Sequence, residues 1–318
     1  MPQFGYTLFS EINGPKDLVL QAQQAEDADF DFAVISDHFH PWLSSHTDSP
    51  FAWSVLGAVA DRTHNLKLAT LVTCPMIRYH PAIIAQAAAT IQIMSDGRFT
   101  LALGAGENLN EHVVGRGWPP VDVRHEMLVE SIEAIRALWN GGYVTYRGKH
   151  ITVEDARIFS MPDRAPRLAV AVSGNESVEL AVEHLTDMVA VDPDADLVDR
   201  YMKTGGKGHR IGQVALSYDK DEGKAREFAL RFKFGVSGWK VMSELPSPVN
   251  FDAATENVTF DDLSDSVATG PDPQVHIEVI KEFVDAGFDE VCVVQVGDDK
   301  EGFMQFWADE LAPELAHL

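Results

Sequence analysis

Ile35-Ser36-Asp37-His38-Phe39-His40-Pro41-Trp42 is the stretch of the sequence that decides the fold. It follows an apolar run, Phe30–Ile35, which predicts a buried strand. An acid, two imidazoles, a proline and an indole then come within six residues. A buried strand that ends in side chains of this kind is typical of α/β barrels, which carry their chemistry at the carboxyl ends of the strands.

The side chains in this stretch suit acid–base work on a flat ligand. An imidazole titrates near neutrality, so His38 or His40 is a candidate proton acceptor at pH 7. Trp42 offers a flat wall, or an N–H donor, to a planar ligand. The alternative is a strand end with a capped turn and two ordinary surface histidines, and this stretch alone does not separate the two interpretations.

The alternation of strand and helix continues through the whole chain of 318 residues. Eight apolar runs predict strands, and this pattern favours a single (β/α)8 barrel domain over residues 1–318 rather than a doubly wound sheet. The predicted strands are Phe4–Phe9, Phe32–Ile35, Leu66–Cys74, Arg98–Gly106, Arg167–Ser173, Met188–Val191, Ile211–Tyr218 and Glu290–Val296.

Apolar residues at helical spacing predict the intervening helices. Two segments break the alternation: Tyr143–Val153 indicates a small β excursion, and residues 232–270, approximately, indicate an insertion before the last unit. The predicted helices are Gly14–Phe30, Ser49–Thr63, Pro81–Met94, His125–Trp139, Glu176–His184, Leu197–Lys203, Asp221–Phe232, Val275–Phe288 and Gly302–Leu315.

The charge balance and the cysteine content narrow the class of function. The chain has 25 Lys plus Arg against 49 Asp plus Glu, a formal charge of −24, which disfavours binding to nucleic acid or to anionic membranes. No apolar run is long enough for a bilayer, and no signal peptide is visible. Cys74 and Cys292 form no metal-spaced pair. We therefore expect a reduced, cytoplasmic location and no metal site.

Polar and glycine-rich segments follow several predicted strands, and a barrel would bring them to one mouth. After strands two to four these are Asp37-His38, Thr73-Cys74-Pro75 and Gly104-Ala105-Gly106-Glu107-Asn108-Leu109-Asn110. The glycines before Glu107 would let a ligand approach the backbone, or they form only a tight turn. Ser173-Gly174-Asn175 follows strand five and begins a helix. Free N–H groups there would favour an anion such as a cofactor phosphate, unless the segment is only an N-cap.

Three motifs at these strand ends are similar to those of a known family. Ser36–Trp42, Thr73–Pro81 and Gly104–Glu111 resemble the luciferase-like hydride transferases that use the deazaflavin coenzyme F420. Within that family the chain looks most like the group named after F420-dependent glucose-6-phosphate dehydrogenase. The resemblance covers nearly the whole chain and implies a luciferase-like barrel with F420 as cofactor.

The resemblance also implies roles for the residues that match. His38 would be the catalytic base that takes the proton of a substrate hydroxyl as hydride leaves, and Trp42 and Glu107 would stabilise or protonate the reduced cofactor. Leu71-Val72 matches a non-proline cis peptide bond that forms a bulge behind the ring. Ser173-Gly174-Asn175 would face the phosphate end of the cofactor. Cofactor contacts are implied for Asp37, Leu71, Val72, Thr73, Glu107, Asn110, Ser173, Gly174 and Asn175.

The sequence departs from the group where its sugar-phosphate dehydrogenases bind phosphate. In place of their basic residues it has Val191-Asp192-Pro193-Asp194-Ala195-Asp196, whose carboxylates would repel a phosphate. Lys240 is interpreted as a solvated lysine. We therefore expect a neutral secondary alcohol or an unphosphorylated sugar as substrate.

Three alternatives remain open: glucose-6-phosphate as substrate, an FMN-dependent monooxygenase on the same fold, and a cofactor carrier without catalysis.

The apolar character of Pro81–Met94 also predicts a homodimer through this helix.

Overall fold

Eight parallel strands close into a barrel in this computed structural model, which describes all of residues 1–318. The strands are β1 Gln3–Leu8, β2 Phe32–Ile35, β3 Lys67–Thr70, β4 Phe99–Leu103, β5 Val144–Arg147, β6 Thr152–Ala156, β7 Arg167–Ala171, β8 Asp187–Ala190, β9 Arg210–Ser217, β10 Val267–Thr269 and β11 Glu290–Gln295. Neighbouring strands follow the order β9-β11-β1-β2-β3-β4-β7-β8, and pairing of β8 with β9 closes the ring. The predicted (β/α)8 barrel is thereby confirmed.

Helices cover the outside of the barrel. The most apolar of them, α3 (Pro81–Met94), has the predicted bounds: His80 caps it by accepting the Ala82 N–H (3.2 Å), and Pro81 occupies its first position. None of the helices has both the length and the apolar character needed to cross a membrane. The helices are α1 Pro15–Asp27, α2 Ala52–Arg62, α3 Pro81–Met94, α4 Asn108–Glu111, α5 Val121–Trp139, α6 Asn175–Glu183, α7 Ala195–Lys203, α8 Glu222–Ala229, α9 Trp239–Met242, α10 Pro248–Ala254, α11 Pro273–Asp285, α12 Lys300–Phe306 and α13 Ala312–Leu315.

Several predicted bounds were wrong, each for a local reason. Strand β3 ends at Thr70 rather than at Cys74, since only an isolated bridge between Thr73 and Leu103 continues the pairing beyond the cis peptide bond Leu71–Val72. Helix α2 begins at Ala52 and not at Ser49, since Phe51 before it is still extended (φ −62°, ψ 107°). The apolar runs of the sequence therefore extend past the regular structure into the loops at the mouth.

The segment predicted as an insertion, residues 232–270, runs across the mouth as short helices. The Leu230–Ser237 3₁₀ helix, α9 and α10 follow α8, and the Asn108 N–H donates to the Ser243 carbonyl (2.9 Å), so the segment reaches the loop after β4. Strand β10 was not predicted: it pairs in parallel with β9, outside the closed ring. Its three residues are too short a run to be recognised in the sequence.

Ion pairs fasten the base of the barrel, where the strands begin. Arg167 at the start of β7 pairs with Asp187 (2.6 Å) and Glu290 (3.2 Å), and Arg210 pairs with Asp289 (2.5 Å). The barrel interior above them is filled by small and branched apolar side chains. One such cluster consists of Ala102, Ala169, Val189 and Ile211, which come from the neighbouring strands β4, β7, β8 and β9. The base is thus closed and charged, and the opposite end carries the loops with the candidate site.

Candidate active site

His38 is buried between two carboxylates at the mouth. It follows β2, with Nδ1 2.6 Å from Oε1 of Glu11 and Nε2 3.5 Å from Oε1 of Glu107. Glu11 follows β1, and its other oxygen accepts the hydroxyls of Ser10 and Ser36. Burial alone would lower the pKa of His38, but the adjacent Glu11 and then Glu107 raise it above the ordinary histidine value. Glu11 thus fixes the imidazole through one nitrogen and leaves the other nitrogen facing Glu107.

Asp37 organises the loops around this imidazole. Its Oδ2 accepts the Trp53 indole N–H (3.0 Å) and the Thr73 hydroxyl (2.8 Å), and its Oδ1 accepts the Tyr79 hydroxyl (2.9 Å) and a guanidinium N–H of Arg78 (3.1 Å). Each oxygen therefore has two donors within the protein, and the residue is only 2% exposed. The structure brings Asp37 and Thr73 together, while the cofactor contacts implied for them stay predictions.

Asn110 fixes Glu107 relative to the His38 loop. Its carbonyl oxygen accepts the backbone N–H groups of Phe39 (2.7 Å) and His40 (2.9 Å), and its amide nitrogen donates to Glu107. The residue is fully buried on the short helix α4, which was not among the predicted helices. His40, the other candidate base, is instead held at Nδ1 by the Leu109 carbonyl (3.0 Å).

The cis peptide bond expected from the resemblance is present between Leu71 and Val72. Leu71 packs against both apolar clusters of the barrel interior and so caps them at the mouth, where both residues remain partly exposed. Gly104 is required beside them, since an added Cβ would lie 2.6 Å from the Cγ2 of Val72. Leu71 and Val72 therefore give the end of the barrel interior an apolar, partly exposed surface.

Trp42 joins the site to the insertion. The His38 and Trp42 rings meet edge to face with centroids 4.8 Å apart. One face of the indole is covered by Phe234, stacked at 4.8 Å and 9°, and Phe251 meets it edge-on at 5.2 Å. Trp42 is thus part of an aromatic wall beside the imidazole rather than a free platform.

Ser173, Gly174 and Asn175 lie at the same end of the barrel, after β7, but no hydrogen bond or ion pair joins them to the other candidate residues. The Ser177 hydroxyl accepts the backbone N–H groups of Ser173 (3.1 Å) and Gly174 (3.3 Å). Two of the backbone N–H groups of this segment are therefore already bonded within it, and its proposed contact with a cofactor phosphate stays a prediction.

Three charged residues of the site were missed by the sequence analysis. Glu11 lies three residues after the end of the first strand, and the expectation applied to the other strand ends would also have identified it. Arg78 and Glu111 lie within the family-like motifs but had no role assigned; the Arg78 N–H donates to Glu111 (2.8 Å). Burial raises the pKa of Glu111 to about 7, against the opposing charge of Arg78.

Comparison with known proteins gives the family of this chain. Residues 2–290 match the family model described as luciferase-like monooxygenase. The chain belongs to the luciferase-like family. The fold and the motifs of the mouth thus agree with the resemblance found in the sequence.

Curated relatives carry a more specific name. The F420-dependent glucose-6-phosphate dehydrogenase of Amycolatopsis mediterranei is 32% identical over 100% of both chains. The protein of the same name from Microbacterium testaceum is 31% identical over 98% of this chain and 97% of its own.

A solved structure adds a second activity within the family. An F420-dependent secondary alcohol dehydrogenase, in complex with an F420–acetone adduct, superposes with a TM-score of 0.91 at 28% identity, over 98% of each chain. An F420-dependent tetrahydromethanopterin reductase from Methanopyrus kandleri, 22% identical with a TM-score of 0.77, shares the fold.

Proposed function

We propose that this protein is an F420-dependent oxidoreductase that acts on the CH–OH carbon, or the corresponding carbonyl, of a neutral alcohol or an unphosphorylated sugar. The observation that carries the proposal is the buried His38, held at Nδ1 by Glu11 with Nε2 directed to Glu107. The names of the relatives support F420 as the cofactor and both alcohol and sugar chemistry within the family.

The residues at the mouth suit a flat ring. Partly exposed Leu71 and Val72 offer an apolar floor, Gly104 leaves room for the bend between them, and His38 and Glu107 flank it. When bound, F420 would supply the hydride chemistry, and the protein would orient it and manage protons. Leu71, Val72 and Glu107 would hold the ring, with Asp37, Thr73 and Asn110 fixing the loops around it; Ser173, Gly174 and Asn175 would face the tail.

His38 is placed to move the substrate proton. Its Nε2 would accept the hydroxyl proton during alcohol oxidation and return it during carbonyl reduction. Glu11 fixes the tautomer and stabilises the imidazolium that forms. Glu107, 3.5 Å from the same nitrogen, would protonate the reduced cofactor, and Trp42 would form the wall beside it.

The surroundings favour a neutral substrate. The segment after β8 is exposed and presents carboxylates; Asp194 caps α7 by accepting the Leu197 N–H (3.0 Å). Lys240 is exposed on α9. The insertion contributes phenylalanines, not cations, next to Trp42. At these places a phosphate would therefore meet acidic and apolar groups where it needs basic ones.

Steady-state assays with F420 test the proposal. We expect turnover of secondary alcohols or free sugars, followed by the loss of the deazaflavin absorbance, and weak or no turnover of glucose-6-phosphate. Saturation by micromolar glucose-6-phosphate would contradict the neutral substrate and favour the name carried by the curated relatives. Tight FMN binding with oxygen-dependent turnover would favour the monooxygenase alternative.

The variant His38→Ala separates an enzyme from a carrier. We expect it to bind F420 with near wild-type affinity and to lose about 100-fold or more in kcat, the usual contribution of a general base. Unchanged turnover would contradict the role of His38.

We further propose that residues 1–318 act as one catalytic domain, in the cytoplasm, as a homodimer.

A further inference from the structure

Arg78 connects the loops that carry the candidate catalytic pair. It follows β3, and its side chain is only 7% exposed. The guanidinium donates to the carboxylate (3.1 Å) and to the backbone carbonyl of Asp37, the residue before His38. Its backbone N–H and Nε donate to Glu111 (2.8 and 3.4 Å), one helical turn after Glu107. One side chain thus spans the gap between the two loops.

We propose that Arg78 is a positioning residue that sets the separation between His38 and Glu107, and through it the rate of proton transfer, without touching substrate or cofactor itself. This role rests on the function proposed above. The planar fork of arginine can bond two partners at fixed angles, which the single ammonium of lysine cannot reproduce. A displacement of about 1 Å at a reacting centre can cost roughly 100-fold in rate.

Arg78 also acts on His38 through its charge. Three charged groups face the imidazole: Glu11 after β1 and Glu107 after β4, which raise its pKa, and Arg78 after β3, which lowers it. A neutral side chain at position 78 would therefore raise the pKa of His38. A lysine would keep the positive charge but lose the two-sided hydrogen bonding.

Two substitutions separate geometry from charge: Arg78→Lys and Arg78→Met. Arg98→Lys is the matched control, because Arg98 is also a partly buried arginine that joins loops, bonding to the carbonyls of Leu66, Thr63 and Ala60 at the base of the barrel. For each variant we would measure Tm, the Kd for F420, kcat and KM against pH, and the His38 pKa by NMR titration of the unliganded protein.

We expect Arg78→Lys to lose about tenfold or more in kcat with little change in KM, in Kd for F420 or in the His38 pKa. Arg78→Met should lose at least as much and raise the His38 pKa in both the NMR titration and the pH–rate profile. Arg98→Lys should lower Tm while kcat and the His38 pKa stay unchanged.

The role is overturned if both Arg78 variants lower Tm like the control and leave kcat and the His38 pKa unchanged. If Arg78→Met does not fold, Arg78→Lys still decides through kcat at constant KM. If the wild type turns over no alcohol or sugar with F420, the proposed function fails and the catalytic role fails with it. The NMR titration then still shows whether Arg78 is coupled to His38.

Discussion

At the scale of single residues, the site depends on a histidine whose two nitrogens have different neighbours. The Glu11 carboxylate lies 2.6 Å from Nδ1, so it influences the proton affinity of Nε2 from the opposite side of the imidazole. Since the carboxylate raises the pKa of His38, the imidazole keeps its proton to higher pH than a free histidine does. That state suits carbonyl reduction, while alcohol oxidation needs the neutral ring.

The pH profile should show this directly. A base must be unprotonated, so kcat for alcohol oxidation should rise with pH and reach half its maximum above the ordinary histidine pKa of about 6.5. Glu11→Gln removes the charge that raises the pKa, so the half-maximum should move to lower pH, with kcat reduced by about 100-fold. A profile that moves to higher pH, or does not move, would contradict the pairing. Glu26→Gln, at a half-buried acid beside the loop before β3, serves as the control.

The sequence predicted which residues lie at the site better than it predicted their hydrogen-bond partners. His38, Glu107, Asn110 and Thr73 were all placed at the mouth because they follow strands, and the structure brings them together. The sequence did not predict that both carboxylate oxygens of Asp37 accept hydrogen bonds from protein donors. One of these donors, Trp53, lies on a helix 16 positions away in the sequence. Such side-chain geometry depends on tertiary packing, which spacing along the chain does not reveal.

At the scale of elements, the strand and helix pattern was recovered because buried strands and amphipathic helices have distinct periodicities. The elements that were not predicted lie where polar functional residues interrupt the periodic pattern of apolar residues. Helix α4 has only four residues, yet it places Asn110 and Glu111. The segment 230–254 has no clear period, and only the structure shows that it forms the wall next to Trp42.

The insertion should contribute both stability and substrate binding through Phe234. This residue is 4% exposed and stacks on Trp42, so Phe234→Ala should cost about 3–5 kcal/mol in the free energy of unfolding. KM for the alcohol should rise because the wall loses its support. Phe159, 74% exposed, is the control: its alanine variant should stay within about 0.5 kcal/mol by denaturant titration. A Phe234→Ala variant as stable as this control would contradict the packing role.

At the scale of the whole molecule, the outer face of α3 is unusually apolar. Ile83 is 57%, Ile93 44% and Met94 42% exposed. We expect a homodimer by light scattering, and Ile83→Glu should shift it toward monomer because a buried charge opposes association. Val249→Glu, at a 69% exposed valine on the insertion, is the control. A wild-type monomer at all concentrations would contradict the prediction.

The net charge of −24 should make stability depend on salt. Repulsion among surface carboxylates destabilises the folded state, and added KCl screens it, so Tm at pH 7.5 should rise with KCl. At pH 5, near the isoelectric point of about 4.7, the same addition should have little effect. A Tm that falls with KCl at pH 7.5 would show that specific ion pairs outweigh the general repulsion.

The ion pairs that close the barrel base have a consequence for how such a protein can change over generations. Arg167 and its partners tie the beginnings of the strands together, a full strand length away from His38. Mutations among the loops at the opposite end can therefore accumulate without loosening this anchor. Descendants of such a protein can therefore change their substrate through the loops while the barrel itself is retained.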